Sequence, residues 1–182
     1  FALARALAGF EGQRPYDVVI VDTPPRLTMA TINALCAATH VLIPTILDGL
    51  SIGNVGGLLG QIKSWFKDDP TALNPNLDLA GIVGTMRPET NLGPNEQRAV
   101  ATLHQMASGA WGDAPSDTCY QHIFADGNTA PSYYISQHIP DTTRFRTDAG
   151  RNIAYLDLKQ TNAVTRGIIN NLGQIVSQRI KL

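Results

Sequence analysis

Nowhere in the 182 residues is there a G-x-x-x-x-G-K-[ST] run, so the sequence carries no backbone loop of the kind that wraps a nucleotide's phosphates. Cysteine is scarce too. Cys36 and Cys119 lie far apart, outside any C-x-x-C or Cys/His ligand spacing, which excludes a disulfide framework and reads as the incidental thiols of a reducing, intracellular protein. No apolar stretch approaches the roughly 18 residues that a membrane-crossing helix needs. His40, His104, His122 and His138 have no paired ligand spacing, which leaves them surface or packing roles. No serine sits in a G-x-S-x-G context, so a hydrolase triad has no support. Internal repeats and domain linkers are absent as well.

What remains is an ordinary globular composition, 43% hydrophobic and 16% charged, at a length that suits one domain with a real core. Net charge is −1, but it is unevenly spread. Through Pro140 there are 7 Lys/Arg against 12 Asp/Glu, and from Asp141 onward 7 against 3. A basic tail of this kind is either a phosphate-binding face or a solvated helix with scattered arginines; charge alone does not choose.

Periodicity predicts alternating strands and helices. Asp17–Asp22, His40–Pro44, Leu79–Thr85 and Tyr133–Ile139 have the short apolar pattern of buried strands. Helical spacing marks Thr28–Ala38, Ser51–Lys67 with Ser51 as its cap, Pro94–Ser108, and a last long helix from about Gln160 to Ile180. The Gly56–Gly57 pair either weakens the second of these or permits close packing. Trp65 and Phe66, at its end, read as core or interface. Asp68–Asp78 is a turn-rich connector, and the Gly-, Asp-, Pro- and Ser-rich stretch 109–132 is a candidate surface insertion. The N-terminal stretch FALARALAGFEGQRP reads as a helix packed on the next strand rather than a signal sequence. Strand–helix alternation argues for an α/β fold with a parallel sheet covered on both faces.

Parallel sheets place ligands at the carboxyl ends of their strands. Asp22, Pro44, Thr85 and Pro140 each stand at such an end. Asp22 is the strongest candidate for chemistry, because a carboxylate closing the apolar run VVIV is costly to bury unpaired. It meets a cation, a donor network or solvent, although DTPP is also a good turn sequence in its own right. Thr23, Pro24 and Pro25 stiffen the backbone after it.

In order and spacing, YDVVIVDTPP, TMATINALCAATHVLIPTILDGLSIGNV, LAGIVGTM and ISQHIP resemble the ParA/MinD family of deviant Walker-type ATPases, apart from residues 110–132. The resemblance implies a three-layer P-loop NTPase-like sheet with helices on both faces, here lacking the N-terminal phosphate-loop strand and helix. It implies ATP and Mg²⁺ as ligands, with Asp22 the Walker B carboxylate acting on Mg²⁺ through water. Thr23, Pro24 and Pro25 would open switch II, and Thr85, Met86 and Arg87 with Pro140 and Asp141 would lie beside the base. Asp48 falls where the family often has an acidic residue; a helix-start role fits it equally.

The family's K-G-G-x-G-K-T loop and its switch I aspartate should precede Phe1. The expectation is therefore the C-terminal part of a single ParA-like ATPase domain, inactive alone because one carboxylate cannot replace the phosphate cradle and its lysine. The resemblance further implies an ATP-dependent homodimer, a ParB-like activating partner, and nonspecific DNA bound in the nucleoid of the cytoplasm. Arg144, Arg146, Arg151, Arg166, Arg179 and Lys181 are the candidate phosphate contacts. The MinD branch ends instead in an amphipathic basic helix for membranes, but NNLGQIVSQRIKL carries few positive charges, so DNA is favoured over a membrane. Two other readings stay open: a nucleotide-free scaffold of the same fold, and an amide-forming or carboxylating enzyme of the wider superfamily.

Overall fold

Three short strands form the centre of the molecule in the computed structural model, which describes residues 2–9, 16–24, 26–68, 71–86, 92–114, 121–123, 126–135 and 163–181. They are β1 (His40–Thr45), β2 (Asp78–Gly84) and, third in space, β5 (Tyr134–Ile135). All three are parallel, in the order β1-β2-β5. Helices α3 (Gly49–Phe66) and α4 (Pro94–Trp111) make the two crossovers, and α2 (Met29–Ala37) precedes β1. Right-handed crossovers between strands laid down in one direction put α3 and α4 side by side on the same face, and the two helices do pack together. A small antiparallel pair, β3 (Gln121–Ile123) and β4 (Thr129–Pro131), lies in the stretch that reads from sequence as an insertion. The chain is a parallel α/β protein, as the alternation predicts.

The register explains how the core forms. Val41 pairs with Leu79, but Leu42 pairs with Gly81, which leaves Ala80 as an extra residue in β2. Side chains alternate along a strand, so Leu79 and Ile82 should point to opposite faces. The extra residue returns them to the same face, and both join Ile43, Val55, Leu59, Val100, Leu103 and Tyr134 in the main core. Val83, on the other face, is equally buried, and α5 (Ala163–Arg179) lies against β2. Helices therefore cover β2 on both sides. β1 is different: Ile43 and Thr45 are buried while Leu42 and Pro44 are exposed, as befits the edge of the described sheet.

Local chemistry sets the helix ends. Thr28 caps α2 by accepting the Thr31 N–H, and Asp48 caps α3 by accepting the Ser51 N–H at 2.7 Å. The cap of α3 is thus Asp48, three residues ahead of the expected Ser51, because the carboxylate reaches the free N–H of the first turn. α4 opens on Pro94, and the Glu96 carboxylate accepts from the Gly93 N–H at 2.8 Å. Of the glycine pair, Gly56 meets Met106 closely enough that a Cβ would sit 2.7 Å from its sulfur, whereas Gly57 faces open space. The pair therefore marks one close helix contact. α1 (Ala2–Ala8) is helical as expected, but it has no buried residue and lies against α2 rather than on a strand.

The largest departure is at residues 16–22. The expected strand Asp17–Asp22 is not a strand. Ile20 is 90% exposed, and Tyr16, Val18, Val19 and Val21 are exposed as well. β-branched residues favour a strand only where a neighbouring strand accepts their hydrogen bonds and an apolar layer covers their side chains. Among the described residues this segment has neither. Of the expected strand Tyr133–Ile139, only Tyr134 and Ile135 are assigned; residues 136–139 lie outside the described part.

Candidate functional site at the strand ends

Parallel pairing brings the carboxyl ends of β1, β2 and β5 to one side of the sheet, and α3 and α4 begin on that side. Thr85, just past β2, ties the first two ends together. Its N–H donates to the Thr45 carbonyl at 2.8 Å and its hydroxyl to the same oxygen at 3.2 Å. Thr45 is buried, and its own hydroxyl donates to the Ile46 carbonyl at 3.2 Å. The next residue, Met86, is exposed and has φ of 55°, a left-handed conformation uncommon outside glycine. Residues in such conformations cluster at binding sites, where surrounding structure holds them. Asp48 stands close by in sequence at the start of α3. Its bonds from the Ser51 backbone and side chain hold its carboxyl below the usual carboxylate range.

The turn after Asp22 is built by a second set of bonds. Arg26 N–H donates to the Pro24 carbonyl and Thr28 N–H to the Arg26 carbonyl, both at 2.8 Å. The buried Thr31 hydroxyl donates to that same Arg26 carbonyl at 2.6 Å. Thr28 Oγ1, 3.1 Å from Thr31 Oγ1, must then donate to it while accepting the Thr31 N–H. Pro24, Arg26, Thr28 and Thr31 thus form one hydrogen-bonded unit joining the Asp22 turn to α2. Only the Thr-x-x-Thr spacing hints at this unit in the sequence, and Thr31 and Thr45 are not singled out there.

Placement of the expected residues is uneven. Asp22, Thr23 and Pro24 are all exposed. Pro25, Arg87, Pro140, Asp141, Arg144, Arg146 and Arg151 lie outside the described residues. Of the basic residues, Arg166 is exposed in the first turns of α5, while Arg179 and Lys181 lie at its far end. Thirteen residues of helix separate Arg166 from Arg179 by roughly 20 Å, so they are not one patch. Burial lowers the pKa of His40, which opens β1, against the pull of Asp78, and Arg179 and Lys181 both add to the lowering. That places them at the amino ends of β1 and β2, opposite Thr85 and Met86.

Among the described residues no group of three His, Cys, Asp or Glu could hold a metal ion. Mg²⁺ is usually held by one or two carboxylates together with waters and substrate phosphates. A single exposed Asp22 suits a water-mediated contact but does not hold the ion alone. Nor is any helix among them long and apolar enough to cross a membrane.

Sheet topology defines the class as parallel α/β, with a candidate ligand side at its strand ends. Sequence comparison narrows it. Residues 2–79 match the family model described as AAA domain. The chain is 31% identical over 125 residues to the chromosome-partitioning ATPase Soj of Thermus thermophilus, covering 69% of this chain and 47% of that protein. It is 31% identical over 91 residues to the chromosome partitioning protein ParA of Caulobacter vibrioides, covering 50% of this chain and 33% of that one. The sporulation initiation inhibitor protein Soj of Bacillus subtilis is 36% identical over 92 residues, covering 50% and 34%. Over these stretches the chain is similar to the ParA and Soj partition ATPases. It spans less than half the length of these relatives.

Proposed function

We propose that this chain supplies the strand-end part of a ParA-like partition ATPase which, as a longer protein, binds ATP with Mg²⁺, dimerises and binds DNA without sequence preference. The observation that carries this reading is the kinship with a chromosome-partitioning ATPase across 69% of the chain. The parallel strand ends and the left-handed Met86 support it. In this reading Asp22 acts on Mg²⁺ through water, and Thr23–Pro25 carry the turn that responds to the terminal phosphate. Thr85–Arg87 and Pro140–Asp141 flank the base. Arg144, Arg146, Arg151, Arg166, Arg179 and Lys181 are the candidate DNA contacts, and a ParB-like partner stimulates hydrolysis on the nucleoid. Alone, the 182 residues lack the phosphate cradle and are expected not to turn over ATP.

Asp22→Ala in the longer protein tests the site. Partner-stimulated phosphate release is expected to fall by about a hundredfold, the scale on which one group stabilising transition-state charge acts. Undiminished release would remove Asp22 from the mechanism. A nucleotide-free scaffold is the second reading, favoured by the exposure of Asp22. It requires that the longer protein give no heat with ATP–Mg²⁺ in calorimetry, and that the coding sequence upstream hold no K-G-G-x-G-K-T.

Salt titration with random-sequence DNA and ATP tests the DNA face. Neutralising one phosphate contact is expected to flatten the log–log salt dependence by about one. Replacing Arg144 and Arg146 by Ala should therefore reduce the slope by about two if both touch phosphate. Unchanged affinity and slope would take both residues off the face.

A further inference from the structure

The β3–β4 hairpin sits in the stretch with the least regular sequence pattern, yet one of its side chains is deeply buried. His122, in the middle of β3, is only 6% exposed. Its ring stands edge-on to Tyr134 of β5, with centroids 5.5 Å apart and planes at 77°. Tyr134 is itself fully buried and belongs to the main core. Ser132, also fully buried, accepts the Tyr134 N–H at 3.1 Å and fixes the corner where the chain passes from hairpin to sheet. Residues 126–129 of the hairpin are exposed, and the Asp126 carboxylate accepts the Asn128 N–H and side-chain amide, at 3.0 and 2.7 Å. Among the hairpin's described side chains, an imidazole is therefore the buried contact with the sheet.

We propose that the β3–β4 hairpin is a pH-sensitive element, docked on β5 through neutral His122 and released when that imidazole gains a proton. Groups that face the site come from each neighbouring element. From α4 it is His104, whose positive form opposes a proton on His122. Asp113, just beyond α4, acts on His104 and favours its protonation. From β5 it is the Tyr134 phenol. A proton arriving on His104 therefore makes the next one on His122 harder to hold while the hairpin stays docked.

Burial lowers the pKa of His122 from its ordinary 6.5, with His104 adding to the effect. The direction of the linkage follows. Below about 6.5 the undocked hairpin binds a proton that the docked one refuses, so acid favours undocking and the docked form is fully favoured above that value. Each unit of lowering weakens docking about tenfold once the pH is below the docked value.

The test is hydrogen exchange of the whole chain at pH 7.5 and 5.5, corrected for intrinsic chemical rates. Amides of 121–131 are expected to lose several-fold protection on acidification while those of β2 keep theirs. His122→Phe, which keeps an aromatic ring without a proton site, should hold the hairpin protected at both values. Constant protection in the unsubstituted chain overturns the proposal, as does acid release that survives in the Phe variant. If that variant fails to fold, the imidazole resonances of the unsubstituted chain decide: His122 must titrate below 6.5, and a midpoint at or above it removes the device.

Discussion

Gly81→Ala is expected to destabilise the chain by about 3 kcal/mol, read as a lower urea midpoint with little change in slope. Gly81 follows the extra residue of β2 and has φ of 154°, which a side chain rarely tolerates. Space is short as well. Because Gly81 pairs with Leu42 and Val83 pairs with Ile135, both Gly81 and Ile135 belong to the face away from α3 and α4. Ile135 fills the room that Gly81 leaves: a Cβ there would lie 2.6 Å from its Cδ1, 2.8 Å from its Cγ1 and 3.2 Å from the Tyr133 carbonyl oxygen. Ile135 is fully buried and cannot swing into solvent, and the Tyr133 carbonyl is held by the Ile82 N–H at 2.8 Å. Ile135→Val in the same chain should recover part of the loss by freeing the Cδ1 space, leaving the backbone term. A midpoint unchanged by Gly81→Ala would mean that β2 relaxes there without strain.

That glycine illustrates what the sequence conveys and what it withholds. LAGIVGT is legible as a short buried strand because its apolar residues are continuous. Nothing in it marks Ala80 as the extra residue. The bulge exists because Leu79 and Ile82 must both face α3 and α4, a demand that arises only once β1 and β5 are in place. α2, α3 and α4 were legible for the opposite reason: their apolar spacing and caps are local properties. Even there the choice of Asp48 over Ser51 as cap shifted the start of α3 by a few residues.

The segment YDVVIVDTPP shows the limit more sharply. Its composition is that of a buried strand, and the kinship with partition ATPases matches the family expected from it. Yet residues 16–22 stand exposed, and the edge of β1 beyond Leu42 and Pro44 is open among the described residues. Strand propensity measures fit to a covered, paired surface rather than an intrinsic preference of the backbone. Asp22 was therefore legible as a residue, while the site around it was not. The strand ends that do assemble, at Thr45 and Thr85, depend on a hydrogen bond between residues forty apart, which no local pattern records. The hairpin escaped notice because its three-residue strands are too short for alternation to register.

Phe66→Ala carries the second large effect, an expected loss of about 3–5 kcal/mol, the range for truncating a buried aromatic. Phe66 is fully buried at the end of α3, where it meets Leu35 of α2, Ile62 and Leu77, with Leu27, Ile32 and Cys36 packed around them. This small cluster fastens α2 to the rest of the fold. Asn74 adds a polar tether, its side-chain amide donating to the Leu35 and Ala38 carbonyls at 2.9 and 2.8 Å, where the end of α2 has acceptors to spare. At its other end α2 is bonded through Thr28 and Thr31 to the turn that follows Asp22. Opening a cavity at Phe66 should therefore act locally before it acts globally. Amides of 29–37 are expected to exchange faster in the variant under native conditions, by more than those of β2, which the main core holds. Phe66→Leu should cost less, because it leaves a smaller cavity. Equal acceleration in α2 and β2 would show that Phe66 supports the whole fold without selectively anchoring α2. Selective loosening of α2 would make this cluster the packing element that positions the Asp22 turn relative to the strand ends.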